Sequence, residues 1–532
     1  MIRVFQVKCA TEDKKEIEAQ LLKKLHMPTK DLLSWSIHRK SVDARSQKIF
    51  FSYVIDAKVK HERKYLRHKD VQPRPNEHYQ PVSSGYHALI DRPVVVGFGP
   101  AGMFAALILA QAGYHPMILE RGSQVDTRTQ KVHQFWQTGQ LDPECNVQFG
   151  EGGAGTFSDG KLTTRSKDSR CRKVLEELVR FGARSEILID QHPHIGTDAF
   201  VQIIKNCRNE IERLGGTFLF DTALEDIQVK DGNLVAIQYH NVWHPCTAMI
   251  LACGHSAKDT LLMLHAHHIQ LENKRFAIGV RIEHRQDYIN QAMWKEYAHD
   301  PRLIPARYKL TYTASNQKGV YTFCMCPGGY VIPAASEAKH TVINGMSYAK
   351  RDGTNANSAL LVQVDESDYG KAILGGLAYQ EELEAKAYQM AHGYAACCQL
   401  ASDYLDHKIS TAFGAVQPTY ALGTQFVDLN TLFSNPINQA LHEALENFEQ
   451  RVPGFVSSGA ILSAVESRSS SAIRISRDPQ GMSSIFGLYP SGEGSGYAGG
   501  IVTSAIDGIH SAEKLIEYFE KPQYNLEKEG CE

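Results

Sequence analysis

Residues 92–122 constrain the fold of this chain more than any other part of the sequence. They read as a short apolar strand, a glycine turn, a helix rich in Ala and Leu, and a second apolar strand that ends at Glu120. The turn has the spacing G-x-G-x-x-G at Gly97, Gly99 and Gly102. A strand, glycine turn and helix in this order predict a Rossmann-type nucleotide-binding unit.

Each part of this unit predicts a contact with a dinucleotide. Gly97 permits the tight turn, Gly99 lets the backbone approach a pyrophosphate, and Gly102 lets the helix pack on the strand. The N–H groups and the positive dipole at the helix start favour the pyrophosphate, and Glu120 is placed to hydrogen-bond a ribose diol. The predicted contact residues are Gly97, Gly99, Pro100, Ala101, Gly102, Glu120 and Arg121.

The composition is that of a globular protein with more than one core. A length of 532 residues favours two or three domains, and 43% of the residues are hydrophobic and 22% charged. The most apolar region, 94–112, is interrupted by glycines, so no membrane span is predicted. Eleven cysteines without a C-x-x-C pair, and a start without a leader pattern, predict a reducing, cytoplasmic setting.

The first 88 residues predict a basic α+β domain followed by a linker. Residues 1–90 contain 18 Lys and Arg against 10 Asp and Glu, whereas the whole chain has a net charge of -2. This asymmetry suggests docking onto the acidic remainder or a polyanionic partner. A nucleic-acid-directed role is therefore an alternative, although no RNA-binding signature is present. The aromatic residues near basic ones are Trp35, Phe50, Phe51 and Tyr53.

The remainder predicts a nucleotide-binding domain interrupted by an insertion. We predict its first part at 89–270, the inserted domain at 271–453 and its C-terminal part at 454–532. Within the insertion, strands alternate with a long helix around 380–407. A second G-x-G-x-x-G, at 494–499, lacks a complete βαβ unit after it, so we expect it to complete the first nucleotide domain.

Five longer motifs narrow the interpretation. They are FGEGGAGTFSDGKL, FCMCPGGYVIPAASE, INGMSYAKRDGTNANSAL, VESRSSSAIRI and GLYPSGEGSGYAGG. With them the chain resembles the functionally uncharacterised FAD-dependent dehydrogenase family of bacteria and plastids, within the glutathione-reductase-type flavoproteins that have two dinucleotide-binding folds. The resemblance covers roughly residues 90–515. It implies a bound FAD and no particular substrate.

The resemblance also implies an architecture and further contacts. The fold would be α/β, with a discontinuous Rossmann-type FAD-binding domain, an inserted α+β substrate or cap domain, and a small N-terminal α+β domain. The Gly492-Glu493 pair would contact the ribityl chain or the pyrophosphate, with Glu where the larger superfamily has Asp. The last helix would direct its positive end at the flavin pyrimidine. The implied contacts are Gly254, Gly492, Glu493, Gly499, Gly500 and Ile501.

Residues 149–165 contain the spacing G-x-x-x-x-G-K, which is that of a P-loop. Leu162 follows the lysine where a P-loop has Ser or Thr, and the strand-loop-helix context is missing, so ATP hydrolysis is not predicted. We predict a loop beside the flavin instead, because its glycines let the backbone lie against a flat or charged cofactor. Its predicted contacts are Gly153, Gly155, Ser158 and Lys161.

Three side chains are candidates for the chemistry. Lys161 and Arg468 are cations that would bind an anionic substrate or stabilise reduced flavin, unless they form structural salt bridges or are surface charges. Cys326 forms a C-x-C with Cys324 on a predicted strand, where both thiols would share one face and relay electrons to flavin. Buried, unreactive cysteine is the alternative.

These features predict an oxidoreductase that exchanges hydride between a small-molecule substrate and bound FAD. NAD(P)H, as a transient co-substrate, or another donor or acceptor would close the cycle. No nucleophile elbow is present, which argues against a hydrolase, and the histidines lack metal-ligand spacing, so no metal is predicted.

Overall fold

The chain begins with a small α+β domain. The computed structural model describes residues 1–44, 48–164 and 166–522. In this first domain α1 buries Ile17, Leu21 and Leu25 against a four-stranded antiparallel sheet of order β2-β3-β1-β4. Its elements are β1 (Ile2–Cys9), α1 (Lys14–Leu25), β2 (Leu32–Asp43), β3 (Phe50–Val59), α2 (Glu62–Tyr65) and β4 (Val71–Pro73).

The aromatic residues of this domain face inward for the most part. Phe51 and Tyr53 are each 1% exposed in its core, and Trp35 donates through Nε1 to Glu18 at 3.0 Å. Phe50 is half-buried. Strand alternation explains these positions, since residues two apart share one face of a sheet.

Five short parallel strands form the centre of the next domain. They are β5 (Val94–Val96), β6 (Met117–Leu119), β7 (Thr217–Leu219), β11 (Met249–Leu251) and β23 (Leu488–Pro490). They lie side by side as β7-β6-β5-β11-β23. In order of appearance this is 3-2-1-4-5, the Rossmann arrangement. The predicted fold class is confirmed: the sheet is Rossmann-type, and its last strand comes from the far end of the chain.

Six helices and a small antiparallel sheet complete this domain. The helices are α3 (Pro100–Ala112), α4 (Val125–Thr138), α5 (Arg170–Arg180), α6 (Thr197–Arg213), α7 (Lys258–Ala266) and α13 (Ile501–Tyr518), and the small sheet contains β8 (Asp226–Lys230), β9 (Asn233–Tyr239) and β10 (Val242–Pro245). α3 and α13 pack closely, because Gly508 lies directly against the backbone of Ala101. The predicted linker also packs here: the ring of His87 stacks on that of Tyr518 with centroids 4.0 Å apart.

The inserted domain is built on a seven-stranded sheet of order β14-β15-β18-β13-β21-β19-β20. Its strands are β13 (Phe276–Arg285), β14 (Thr311–Thr313), β15 (Gly319–Cys326), β18 (Asn355–Val364), β19 (Ala396–Leu400), β20 (Thr424–Phe426) and β21 (Ile461–Glu466). A hairpin, β16 (Tyr330–Pro333) and β17 (Ile343–Met346), and five helices, α8 (Gln286–Trp294), α9 (Glu366–Tyr369), α10 (Gly375–Met390), α11 (Ala401–Leu405) and α12 (Asn435–Arg451), surround it.

The chain enters and leaves the inserted domain at one place. β12 (Leu271–Asn273) precedes the insertion, and β22 (Ile473–Ile475) follows it. The two strands pair antiparallel, with Leu271 opposite Ile475. They form a two-stranded ribbon between the two domains.

Two sequence predictions differ from this arrangement. The boundary predicted at 453/454 falls before β21, which pairs with β13 and β19 inside the seven-stranded sheet, so the insertion continues past Glu466. The long helix predicted around 380–407 ends at Met390, and β19 occupies Ala396–Leu400. Pairing with β21 overrides the local helical pattern there. The final predicted segment includes residues 523–532, which lie outside the described residues.

No helix in the described part of the chain combines the length and apolar character needed to cross a membrane.

Candidate functional site

A cavity of about 610 Å³ lies between the parallel sheet and the inserted domain. We call its lower wall the floor: the carboxyl ends of β5, β6, β11 and β23, the starts of α3 and α13, and the loop at 148–164. We call its upper wall the roof, which the inserted domain contributes through Phe323, Cys324, Cys326, Asn344, Gly345 and Glu466. Ligands of doubly wound sheets bind at this edge.

Most residues predicted from the sequence line this cavity. These are Gly97, Gly99, Pro100, Ala101, Glu120, Arg121, Gly153, Gly155, Ser158, Lys161, Gly254, Cys326, Arg468, Glu493, Gly499, Gly500 and Ile501. Gly102 and Gly492 lie behind the wall. The structure therefore brings together segments that are up to about 400 residues apart in sequence.

The fingerprint glycines have different tasks. Gly97 has a φ of 90°, a conformation that favours glycine, and packs against the carbonyl of Ala252. A side chain on Gly102 would collide with the carbonyl oxygen of Gly97. Gly102 thus packs helix against strand and does not face the cavity, which corrects its assignment as a cofactor contact. Gly99 is the N-cap of α3, and the N-terminus of this helix borders the cavity.

Glu120 is a cavity residue that organises the floor. Its carboxylate is 4% exposed and accepts backbone N–H bonds from Phe98 at 2.8 Å, Gly122 at 3.0 Å and Gly150 at 3.0 Å. It therefore joins the fingerprint turn to the glycine loop. Arg121, beside it, pairs with Asp259.

Arg128 of α4 holds the glycine loop in place. Its guanidinium is fully buried and donates to five backbone carbonyls, those of Asn146, Val147, Gly150, Glu151 and Gly153, at 2.8–3.2 Å. The loop turns through a short 3-10 helix at Ala154–Phe157 and forms a backbone bridge between Lys161 and His194. The described residues directly after Lys161, 162–164, are not helical, so the P-loop spacing lacks the P-loop conformation.

The second glycine segment places the start of α13 at the cavity. Gly500 is the N-cap of α13, and a side chain on Gly499 would meet no atom within 4 Å. The N–H of Gly492 donates to Asp507 of α13 at 2.7 Å, which keeps Gly492 out of the cavity. Next to it, the buried hydroxyl of Ser491 lines the cavity and has no hydrogen-bond partner among the described residues.

Lys161 faces the roof. Its Nζ donates to the carbonyl oxygen of Met325 and lies 3.4 Å from Asp159 Oδ2. Asp159 also accepts two bonds from Arg351 and one from Ser347. Burial alone would raise the pKa of Asp159, but Lys161, Arg351 and the Ser347 hydroxyl outweigh it and hold that pKa below the ordinary value.

Arg468 is already neutralised by neighbouring carboxylates. Its guanidinium donates to both carboxylate oxygens of Glu384 at 2.8 and 2.7 Å and to Glu337 at 2.7 Å. This geometry favours a structural salt bridge for Arg468 over a role in binding an anionic substrate or reduced flavin. Arg468 nevertheless lines the cavity.

The two roof cysteines differ in environment. Cys324 is exposed to the cavity although it lies deep in the protein, and its φ is 44° at a β-bulge between Phe323 and Cys326. Cys326 is 1% exposed, and burial raises the pKa of its thiol to about 11. The bulge breaks the simple alternation behind the predicted shared face.

A buried ion pair supports the roof. Arg281, fully buried on the central strand β13, donates to Glu466 of β21, to Asn357 at 2.7 Å and to the carbonyl of Cys324 at 2.8 Å. Burial raises the pKa of Glu466, an effect that Arg281 opposes. A charged residue inside the apolar stretch FAIGVRIEH is a sequence signal that could have identified Arg281.

Glu493 is the second unusual carboxyl group. It lines the cavity, and burial raises its pKa to about 7, an effect that Lys274 partly opposes. Other cavity residues that sequence reasoning missed are Gln148, Thr222, His255, Ser256, Asn344 and Thr503. His255 directly follows Gly254, and burial lowers its pKa to about 4, so its imidazole is neutral.

Comparison with known sequences identifies a close relative and two matching domains. The chain is 44% identical to an uncharacterised protein of Clostridium beijerinckii over 531 residues, which covers 98% of this chain and 100% of that protein. Residues 275–469 match the family model described as "FAD-dependent protein, C-terminal domain-like". Residues 1–58 match a domain of unknown function.

Solved flavoprotein structures have a distant likeness to the chain. A flavin-dependent brominase variant is 10% identical with a TM-score of 0.36, covering 80% of each chain. L-proline dehydrogenase from P. horikoshii is 9% identical with a TM-score of 0.32, covering 81% of this chain and 93% of its own. The order of the parallel strands shows the Rossmann-type fold independently of these structures.

Proposed function

Because the chain belongs to the same family as the uncharacterised Clostridium beijerinckii protein and contains a domain of the FAD-dependent protein type, we propose that it is an FAD-dependent oxidoreductase. It exchanges hydride between a small molecule and bound FAD, and NAD(P)H or another donor or acceptor closes the cycle. One observation supports this above all: two glycine-started helices meet at the edge of a Rossmann-type sheet, at a cavity that a second domain covers.

The cavity wall fits a dinucleotide cofactor. The volume of the cavity is in the range of small-molecule and cofactor sites, roughly 300–1,000 Å³. Side chains on Gly254 and Gly499 would project into open space, and the Ser491 hydroxyl lacks a partner among the described residues. Both helix starts offer N–H groups and positive dipole to anionic or polarised groups.

The residues of the floor have separable tasks in this proposal. The start of α3, with Gly99, Pro100 and Ala101, would hold the pyrophosphate, and Glu120, which also joins the glycine loop to the floor, would hold the ribose. Gly499, Gly500 and Ile501 present the start of α13. FAD, when bound, supplies the hydride transfer.

Glu493 holds a proton near neutral pH because burial raises its pKa to about 7. A protonated carboxyl group can donate a hydrogen bond, which an ionised one cannot. Glu493 therefore suits a position beside the ribityl chain or pyrophosphate despite its longer arm. The roof covers the floor and leaves room for a small molecule between Phe323, Cys324 and the floor.

Two finer features belong to the same proposal. The motifs of the chain resemble the glutathione-reductase-type dehydrogenases, and we place the protein in that group. We also place it in the cytoplasm, because all ten cysteines within the described residues are free thiols.

The first experiment is an absorption spectrum of the purified protein, with mass identification of any extracted cofactor. We expect a yellow protein that releases FAD. A colourless protein that resists FAD reconstitution would contradict the proposal. Anaerobic titration of the flavin with NADH, NADPH and a metabolite panel should bleach the flavin band with at least one donor, whereas reduction by dithionite alone would argue against a dehydrogenase.

A matched pair of glycine variants tests the site itself. Gly499 and Gly414 both have open space where a side chain would go and no positive φ, but only Gly499 lines the cavity. Gly499→Val should weaken FAD retention by roughly 10- to 100-fold, as overpacking does. Gly414→Val should leave it unchanged. Equal retention in both variants would place the cofactor elsewhere.

A further inference from the structure

Within the described residues, the cations of the cavity wall are matched by carboxylates, with one exception. Glu120 accepts three backbone N–H bonds. Arg121 pairs with Asp259, Glu466 with Arg281, and Arg468 with two glutamates. Lys274 opposes the effect of burial on Glu493. Buried charges are normally paired in this way, because an unpaired charge in a low-dielectric interior is costly.

Lys161 is the exception. Its nearest carboxylate, Asp159, is 3.4 Å away and already bound by both arms of the Arg351 guanidinium. Two cations therefore share one anion. Lys161 is the cation of this group that lines the cavity, beside Asp159, and the surplus positive charge lies there.

Arg307 adds a second cation to this surplus. Within 1–44, 48–164 and 166–522, its guanidinium makes no hydrogen bond or ion pair. Its neighbour Tyr308 donates its backbone N–H to Met325 Sδ at 3.0 Å, and Met325 is the residue whose carbonyl Lys161 binds. Arg307 thus lies on a segment that contacts the Lys161 site.

The surroundings of Arg307 do not neutralise it. Burial, followed by the nearby Arg351, lowers the pKa of Arg307 to about 10 against the opposing effect of Asp159, so Arg307 is still charged at neutral pH. The pKa of His192 falls to about 4, first through burial and then through Arg307 and Arg351, so His192 is neutral. The group therefore has three cations against the single carboxylate Asp159.

We propose that the cavity binds its small-molecule substrate through a carboxylate, which Lys161 holds directly and the charge of Arg307 attracts at longer range. The proposal rests on the proposed function, and it names the class of substrate that the function requires. Lys161 is the binding residue and Arg307 a supporting charge. Arg468 is not the anchor, since two carboxylates already occupy its guanidinium.

The test compares pairs of probes that differ only in charge. Acetate and acetamide, and benzoate and benzamide, are titrated into the FAD-loaded protein by calorimetry. We expect the carboxylates to bind at least roughly tenfold more tightly than the amides. Equal affinity within each pair, or no binding of any probe, would overturn the proposal.

Variants then assign the residues. Lys161→Met should weaken carboxylate binding by roughly tenfold, Lys161→Arg should largely restore it, and Arg307→Met should weaken it by roughly threefold. Lys408→Met is the control, because Lys408 is exposed, pairs only with Asp406 within the described residues and does not line the cavity. Unchanged carboxylate binding in Lys161→Met would contradict the proposal.

A phosphate of the cofactor is the other possible source of an anion at Lys161, and the FAD affinity distinguishes it. If Lys161→Met loses FAD while Lys408→Met retains it, the anion is the cofactor's and the substrate proposal fails. If the wild-type protein binds no FAD, the proposed function fails, but carboxylate preference can still be measured on the same protein. The two failures are thereby separable.

Discussion

The floor and the roof of the cavity are stabilised in opposite ways. The floor is a set of backbone turns, joined by N–H bonds to Glu120 and by five carbonyls bound to Arg128. The roof is a sheet surface in which charged side chains meet, above all Arg281 and Glu466, 185 residues apart. A surface made of backbone suits a ligand of fixed shape, whereas one made of side chains changes readily by substitution. In the proposed function the cofactor contacts the floor, and the substrate lies between the floor residue Lys161 and the roof.

Replacing Arg128 should have the largest effect on stability, because Arg128 holds the glycine loop of the floor in place. Arg128→Met removes a donor from five backbone carbonyls, three of which then have no other donor within the described residues, at about 1–3 kcal/mol each. We expect a loss of stability on the order of 5 kcal/mol and loss of FAD retention, measured by calorimetric melting and by the flavin-to-protein absorbance ratio. Arg302→Met is the control, since Arg302 is exposed and pairs only with its neighbour Asp300 within the described residues. A melting temperature equal to that of the control would remove Arg128 from this role.

Breaking the ion pair tests the roof. Arg281→Met leaves Glu466 as an unpaired buried carboxylate, which should cost about 3–5 kcal/mol. The double change Arg281→Met and Glu466→Leu should recover part of the loss, because it removes both charges. Melting temperatures of the two variants, with FAD content, check this. If the double variant is the less stable of the two, the pair contributes more than charge compensation.

The floor was largely predictable from the sequence because its determinants are local. Glycine spacing, a following helix and an acidic strand end fall within about thirty residues, and these residues do meet at the cavity. Gly102 and Gly492 were the exceptions, since only the packing of one backbone on another places them behind the wall.

The roof was not predictable in the same way, because its partners are distant in sequence. Arg468 meets Glu384 across 84 residues, and β21 joins the inserted sheet after the boundary predicted at 453. Ala396–Leu400 has a helical pattern but pairs as a strand. Arg128, which belongs to the floor, was a further exception there, because a single arginine in an amphipathic helix is typical of a surface residue.

Two carboxyl groups allow the pH response of floor and roof to be compared. Burial raises the pKa of Glu493, on the floor, and of Glu283, in the inserted domain, from 4.5 to about 7. Between these values the folded protein keeps protons that the unfolded chain releases, so the contribution of these two groups to stability is most favourable below pH 4.5 and is lost as the pH rises through about 7.

We expect each group to cost on the order of 1–3 kcal/mol by pH 8. Glu493→Gln and Glu283→Gln should each flatten part of the fall in melting temperature measured from pH 5 to 8. FAD should further change the response of Glu493 only. A slope unaffected by either substitution would mean that neither carboxyl group keeps its proton.

The smallest effect is expected for Cys326. Because burial raises its pKa to about 11, little thiolate exists at pH 8, and iodoacetamide should label Cys324 well before Cys326 in the native protein. Cys326→Ala should change turnover by less than about twofold and stability by about 1 kcal/mol. Faster labelling of Cys326, read by peptide mass, would restore it as a redox candidate.

The ribbon of β12 and β22 also affects how the inserted domain of such a protein can change in evolution. Since the chain leaves the nucleotide domain at Leu271–Asn273 and re-enters beside it at Ile473–Ile475, the two ends of the insertion stay adjacent whatever lies between them. β11 and β23 can pair in the same register with a longer, shorter or wholly different insertion. The topology thus permits the inserted domain to be exchanged, and the substrate with it, while the fold of the nucleotide domain stays the same.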